Sequence, residues 1–146
     1  MRYKKLTETA RVPERATDDS AGYDLYADNN EPIEILPYCT EMIGTGIAAE
    51  IPKNTFGSIY ARSGIAIKRG LRPANCVGVI DSDYRGEIIV ALHNDTPRKQ
   101  TIEPHERIAQ LVFLPYGKVD WIEVEELEDT ERGDGGFGST GTVERQ

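Results

Sequence analysis

Two aspartates interrupt apolar runs and so are candidates for chemistry. Asp24 breaks the strand onset in AGYDL, residues 21–25. A carboxylate drawn towards a core needs a partner, either a cation or a metal. Asp81 directly follows the apolar VGVI in NCVGVIDSDYRGE, residues 75–87. That position predicts a partly buried carboxylate at the edge of the core, suited to act as a general base towards water, an effect of about 10²–10⁴-fold. The same stretch carries Asp83 and Glu87, whose plainer reading is a solvated acidic turn. Tyr84 beside them offers a flat face for a sugar, and the backbone of the stretch can read the edge of a base.

Two further stretches suit an anion. In YARSGIAIKRG, Arg62, Ser63 and the amide of Gly64 stand where a strand gives way to a short helix. Free N–H groups at a helix start favour negative charge, although an ordinary N-cap beside a surface arginine is the plainer reading of the stretch taken alone. In RGDGGFGSTG, residues 132–141, five of ten residues are glycine and none is aliphatic. A flexible terminus is the bland reading. Yet Arg132 can fork onto phosphate, and Gly138, Ser139 and Thr140 can form an anion cradle. Phe137 can stack on a flat ring. Gln110 and Arg107 in RIAQLVFLP are weaker pointers, each well explained by a structural hydrogen bond.

The elements that must position these residues are short β runs broken by turns. The pattern predicts strands in RYKKLT, IEILP, MIGTGIAAEI, FGSIYAR, CVGVI, EIIVALHN, RIAQLVFLP and VDWIEVEEL. The eight prolines fall between or at the ends of these runs, where proline is tolerated. SGIAIKRG predicts one short helix, with Ser63 as N-cap and Gly70 as stop. VGVI and EIIVAL, around the polar DSDYRG, read as a β-hairpin. The expected organisation is an all-β barrel or sandwich over residues 1–127 and a flexible glycine-rich arm over residues 128–146.

With 146 residues, the chain suggests one domain. Its net charge of -8 disfavours nucleic-acid polymers but not a small anion held by local cations. Two cysteines, Cys39 and Cys76, make no disulfide framework, and two histidines without CxxC make a zinc site unpromising. Neither a leader-like N-terminus nor a membrane-length apolar run is present, so the expectation is a soluble cytoplasmic protein with no membrane partner.

In their order and spacing, AGYDL, ARSG, GVIDSDYRGE, RIAQLVF and RGDGGFGSTG closely resemble the five motifs of the homotrimeric deoxyuridine triphosphatases (dUTPases). The resemblance runs from about residue 13 to residue 141. It implies a jelly-roll-like β-barrel and a homotrimer whose active sites are each built from all three subunits. It also implies Mg²⁺-assisted hydrolysis of dUTP to dUMP and pyrophosphate, which limits uracil in DNA and supplies dUMP for dTTP synthesis.

By the same resemblance, Asp81 deprotonates the attacking water and Asp24 holds Mg²⁺ through water. Asn75 and the backbone of Gly78, Val79, Ile80 and Asp81 bind uracil, and Tyr84 lies against the deoxyribose. Arg62, Ser63, Gly64 and Gln110 bind phosphates. Arg132, Gly138, Ser139 and Thr140 close over the phosphate chain while Phe137 stacks on uracil. Ala61 departs from the proline that many members carry there, and residues 142–146 lie beyond the motifs. Two rival readings are a dCTP deaminase-related enzyme, for which Glu87 is the candidate glutamate, and a phage-type regulator binding a host protein partner through the same body.

Overall fold

The computed structural model describes residues 1–136. The expected Phe137, Gly138, Ser139 and Thr140 contacts therefore lie outside the described residues. Eleven strands and one helix follow in chain order: β1 (Tyr3–Lys5), β2 (Tyr23–Tyr26), β3 (Ile33–Ile35), β4 (Thr40–Gly44), β5 (Ile47–Ala49), β6 (Thr55–Tyr60), α1 (Ser63–Arg69), β7 (Leu71–Pro73), β8 (Gly78–Ile80), β9 (Ile89–Asn94), β10 (Gln100–Ile102) and β11 (Arg107–Pro115). All strand pairs are antiparallel. The larger sheets run β2-β11-β6-β8 and β4-β9-β7, and two short pairs, β1-β5 and β10-β3, complete a jelly-roll-like body.

Alternation of side chains builds the core. Along β9, Val90, Leu92 and Asn94 point inward and are buried, while their neighbours are not. Each sheet contributes to one cluster, for example Leu25 from β2, Ile35 from β3, Leu92 from β9 and Leu111 from β11. Buried Asn94 is satisfied: its amide nitrogen donates to the carbonyls of Ile35 and Arg98, and its oxygen accepts from the Thr96 amide. On β11 the register against β2 shifts between Arg107 and Ala109. This bulge lets Ile108 and Ala109 both be buried and frees Arg107 for another purpose.

Four local expectations are corrected. MIGTGIAAEI is not one strand: Gly46, at φ 64, turns the chain between β4 and β5. VDWIEVEEL has the strand alternation but forms no strand, and Trp121 is 95% exposed. A strand needs a partner edge, and this segment pairs with none among the described residues. Ser63 is the first helical residue rather than the cap; Arg62 holds the N-cap position with an extended backbone, while Gly70 ends α1 at φ 63 as expected. Finally, VGVI and EIIVAL are not hydrogen-bonded to each other: β8 pairs with β6, and β9 pairs with β4 and β7.

Candidate functional site

The strands β2, β11 and β6 lie side by side and bring three of the sequence motifs together. Asp24 on β2 is opposite Gln110 on β11, which is opposite Tyr60 at the end of β6. Asp24 is only 8% exposed, and its charge is answered twice. Arg62 donates from Nε to one carboxylate oxygen at 2.7 Å, and Arg107 donates from a terminal nitrogen to the other at 3.1 Å. Of the two partners left open for this carboxylate, cation or metal, the fold supplies cations. Gln110 donates from its amide to the Ala61 carbonyl at 2.9 Å, fixing the exit of β6 just before Arg62. Gly22 makes room for it, since a Cβ there would stand 2.5 Å from the Gln110 amide oxygen.

Beyond Arg62 the chain enters α1, with exposed Ser63 and Gly64 in its first turn and no acidic residue there. Arg69 pins the helix down, donating to Glu106 and to the Gln100 side chain. The adjoining groove is lined by Arg62, Gly64, Lys68, Arg69, Glu106 and Arg107 among others. It therefore holds four cationic side chains and one carboxylate, the latter already paired. This is a locally basic patch on an acidic body, and its free donors suit an anion with several oxygens.

A different place holds the other motif. Because β8 and β9 part, a groove of 210 Å³ opens between them, lined by Asn75, Gly78, Val79 and Ile80 on one side and Ile89, Val90 and Ala91 on the other. Strand β8 is the edge of its sheet, so its outer backbone groups have no strand partner among the described residues. An opened pair of strand edges with apolar walls accepts a flat, polar-edged ring as a strand would. Cys76, at φ 63, turns the chain at the mouth of the groove. There Arg72 grips Asp95 with two N–H groups, tying β7 to the end of β9 and raising the Arg72 pKa above its usual value.

Asp81 follows β8 at the far end of this groove. It is exposed, not partly buried, and its carboxylate has no hydrogen-bond partner among the described residues. The expected burial presumed a core edge, but the chain leaves the sheet at Ile80 and the loop to β9 runs over the surface. Tyr84 turns back over the loop, its amide donating to the Asp81 carbonyl and its hydroxyl to the Glu87 carbonyl at 3.0 Å. Glu87 accepts from the Gly46 amide at 2.7 Å, so its carboxylate is already committed to holding the loop. Arg132 sits in the exposed segment after β11 and donates to the nearby Gly135 carbonyl.

The two grooves share no lining residue. Their separation follows from the register of β6. Ile80 is opposite Gly57 near the start of β6, whereas Arg62 follows its end. Arg62 is five residues past Gly57, the last two beyond the end of β6, a span of at most about 17 Å of extended chain. The run of β8 towards Asp81 leads away from the Arg62 cluster of the same chain. Within the one chain described, the Asp81 groove and the Arg62 cluster stand apart.

No helix among the described residues is long and apolar enough to cross a membrane. Comparison with known proteins adds the following. The dUTPase family matches residues 8–141. The chain is 48% identical over 142 residues to the deoxyuridine 5'-triphosphate nucleotidohydrolase of Rickettsia bellii (strain OSU 85-389), covering 97% of this chain and 95% of that one. The structure superposes on the dUTPase of Staphylococcus bacteriophage 80alpha with dUPNHPP at a TM-score of 0.87 and 31% identity, covering 97% of this chain and 98% of that one. It also matches the dUTPase of phage phi11 of S. aureus, in which coordination of a structural Mg(II) ion is described, at a TM-score of 0.79 and 26% identity over 88% of this chain and 98% of that one.

Proposed function

The chain belongs to the dUTPase family, and from that premise we propose that its dUTP site is divided between copies of the chain, one supplying the β8–β9 groove with Asp81 and another the Arg62 cluster. The activity itself is that of a dUTP diphosphatase, hydrolysing dUTP to dUMP and pyrophosphate. The observation that carries the division is the register of β6, against which β8 runs from Gly78 opposite Ile59 to Ile80 opposite Gly57, away from Arg62. Uracil enters between β8 and β9, with its edge read by the Asn75 side chain and the backbone of Gly78, Val79, Ile80 and Asp81. Deoxyribose rests against Tyr84. The phosphates leave the groove past Asp81 and meet Arg62, Ser63, Gly64 and Gln110 of a neighbouring copy.

In this reading a homotrimer is the functional unit. The segment over 119–127 supports it: Val119, Trp121, Ile122, Val124 and Leu127 are all exposed and lie within one short run of chain. Residues 128–146 would then be an arm that closes over a substrate held by other copies. On it Phe137 stacks on the base, and Arg132, Gly138, Ser139 and Thr140 grip phosphate. Closure excludes water from the reacting centre.

Asp81 is the general base. Being exposed and without a hydrogen-bond partner among the described residues, its carboxylate can accept a proton from a water aligned on the α-phosphate. The dUTPase family uses Mg²⁺. Asp24 already has both oxygens engaged by guanidinium groups, and no cluster of three or more His, Cys, Asp or Glu side chains among the described residues could hold a metal ion. That donor set fits an ion carried by the triphosphate and contacted by Asp24 through water. When bound, Mg²⁺ offsets phosphate charge that an acidic body would otherwise repel.

Selectivity follows from the groove. A site that must match each hydrogen bond can discriminate by about 10⁴–10⁵-fold, so cytosine fails on donors and acceptors. A thymine methyl fails on shape, since the groove walls are backbone and short apolar side chains. The deaminase reading loses its candidate, because Glu87 is bound to the Gly46 amide. The test is incubation with Mg²⁺ and dUTP, dCTP, dTTP or UTP, followed by ion-exchange separation. Monophosphate and pyrophosphate are expected from dUTP alone. Consumption of dCTP would restore the deaminase reading.

A further inference from the structure

The turn between β4 and β5 belongs to none of the five motifs, yet three bonds fasten the loop after Tyr84 to it. The Gly46 amide donates to a Glu87 carboxylate oxygen at 2.7 Å. The Thr45 hydroxyl, on a fully buried side chain, donates to the Ile88 carbonyl at 2.7 Å. The Ile88 amide donates to the Ile47 carbonyl at 2.8 Å. The fit is close from both sides. A Cβ on Gly44 would stand 2.4 Å from the same Glu87 oxygen. Gly46 itself holds the left-handed φ of 64 that only glycine adopts without strain.

Within the loop, the Tyr84 ring lies directly on Gly86. A Cβ there would stand 2.3 Å from the Tyr84 hydroxyl oxygen, 2.5 Å from Cζ and 3.0 Å from Cε2. The same end of the ring is held by its hydroxyl, which donates to the Glu87 carbonyl. Tyr84 is therefore seated on a bare backbone, and that backbone is bolted to the β4–β5 turn by the very next residue.

We propose that Gly86, Glu87 and the Thr45–Gly46 turn are positioning elements for sugar selection, holding the Tyr84 ring where it leaves no space for a 2′-hydroxyl. This rests on the reading that Tyr84 faces the deoxyribose. Glu87 acts through its carboxylate on the loop and touches no substrate. A shift of about 1 Å in a positioned group can cost about 10²-fold, so a small release of the ring is enough to admit ribose.

The test compares kcat/KM for dUTP, UTP and dTTP in the full chain with Tyr84→Ala, Gly86→Ala, Glu87→Ala, Glu87→Gln and Thr45→Val. Gly86→Ala and Glu87→Ala should lower the dUTP-to-UTP ratio by at least about 10-fold, with Thr45→Val in the same direction, while the dUTP-to-dTTP ratio holds. Glu87→Gln should keep the native sugar ratio, because its amide oxygen can still accept from Gly46. A purely structural role would weaken all three substrates together, and that result overturns the proposal. So does a sugar ratio that falls in Tyr84→Ala but in none of the others. If Tyr84→Ala itself leaves the sugar ratio unchanged, the fault lies in the role assigned to Tyr84.

Discussion

At the α1 end of β6 the side chains of Asp24, Arg62 and Gln110 are already bonded, while at the other end the Asp81 carboxylate has no partner among the described residues. Asp24 answers Arg62 and Arg107, and Gln110 answers Ala61. The carboxylate of Asp81 answers nothing among the described residues. The contrast follows the work proposed for each end. A phosphate grip gains from arginines held in place before the ligand arrives, because less entropy is then lost on binding. A general base gains from having its lone pair available. The rigid end also stabilises the fold. The open end is held in place by bonds of its loop to the β4–β5 turn, which leave the reactive carboxylate untouched.

The sharpest way to break this contrast is at its free end. Asp81→Asn should lower kcat by about 10²–10⁴-fold while dUTP binding stays close to native. Paired turnover and calorimetric binding measurements would show it, and full activity in that variant would remove Asp81 from the chemistry. Because Asp81 has no intramolecular partner among the described residues, the variant should melt at the native temperature.

Substitution at the bonded end should do the reverse to stability. Asp24→Ala leaves Arg62 and Arg107 facing each other across a mostly buried site. Breaking a fully buried pair costs about 3–5 kcal/mol, and the half-exposed Arg107 reduces this to roughly 2–3 kcal/mol. A clear fall in denaturant midpoint is expected. An unchanged midpoint would mean the ion pairs contribute nothing net. The smallest effect belongs to Gln110→Ala, which removes one hydrogen bond of about 1 kcal/mol to the Ala61 carbonyl. It should raise KM for dUTP more than it lowers stability, since the Ala61 carbonyl lies beside the phosphate grip.

Much of this was legible in the residues. RIAQLVFLP matches β11 residue for residue, and Gly70 ends α1 where a glycine stop was expected. The order of the motifs pointed to the family. What escaped was tertiary. VGVI and EIIVAL carry hairpin alternation, but each strand found a better partner in a different sheet, and alternation cannot name the partner. VDWIEVEEL has strand composition but pairs with no strand among the described residues, and composition cannot say whether a partner edge is in reach. Asp81 was placed at a core edge because apolar residues precede it, yet burial depends on which way the chain turns after Ile80. The Thr45–Gly46 turn carried no signal at all, since its role lies in bonds to residues some forty positions away.

Whether one chain holds two halves of different sites is tested most directly by mixing two inactive variants. Asp81→Asn lacks the base and Arg62→Ala lacks the phosphate grip, and each alone should be inactive. Unfolded and refolded together at equal amounts, mixed assemblies should regain about a quarter of native activity, because each site draws its two halves at random from different copies. Recovery near that level supports the divided site. If mixed assemblies form and remain as inactive as the separate variants, the Asp81 groove and the Arg62 cluster work within one chain, and the site is not divided.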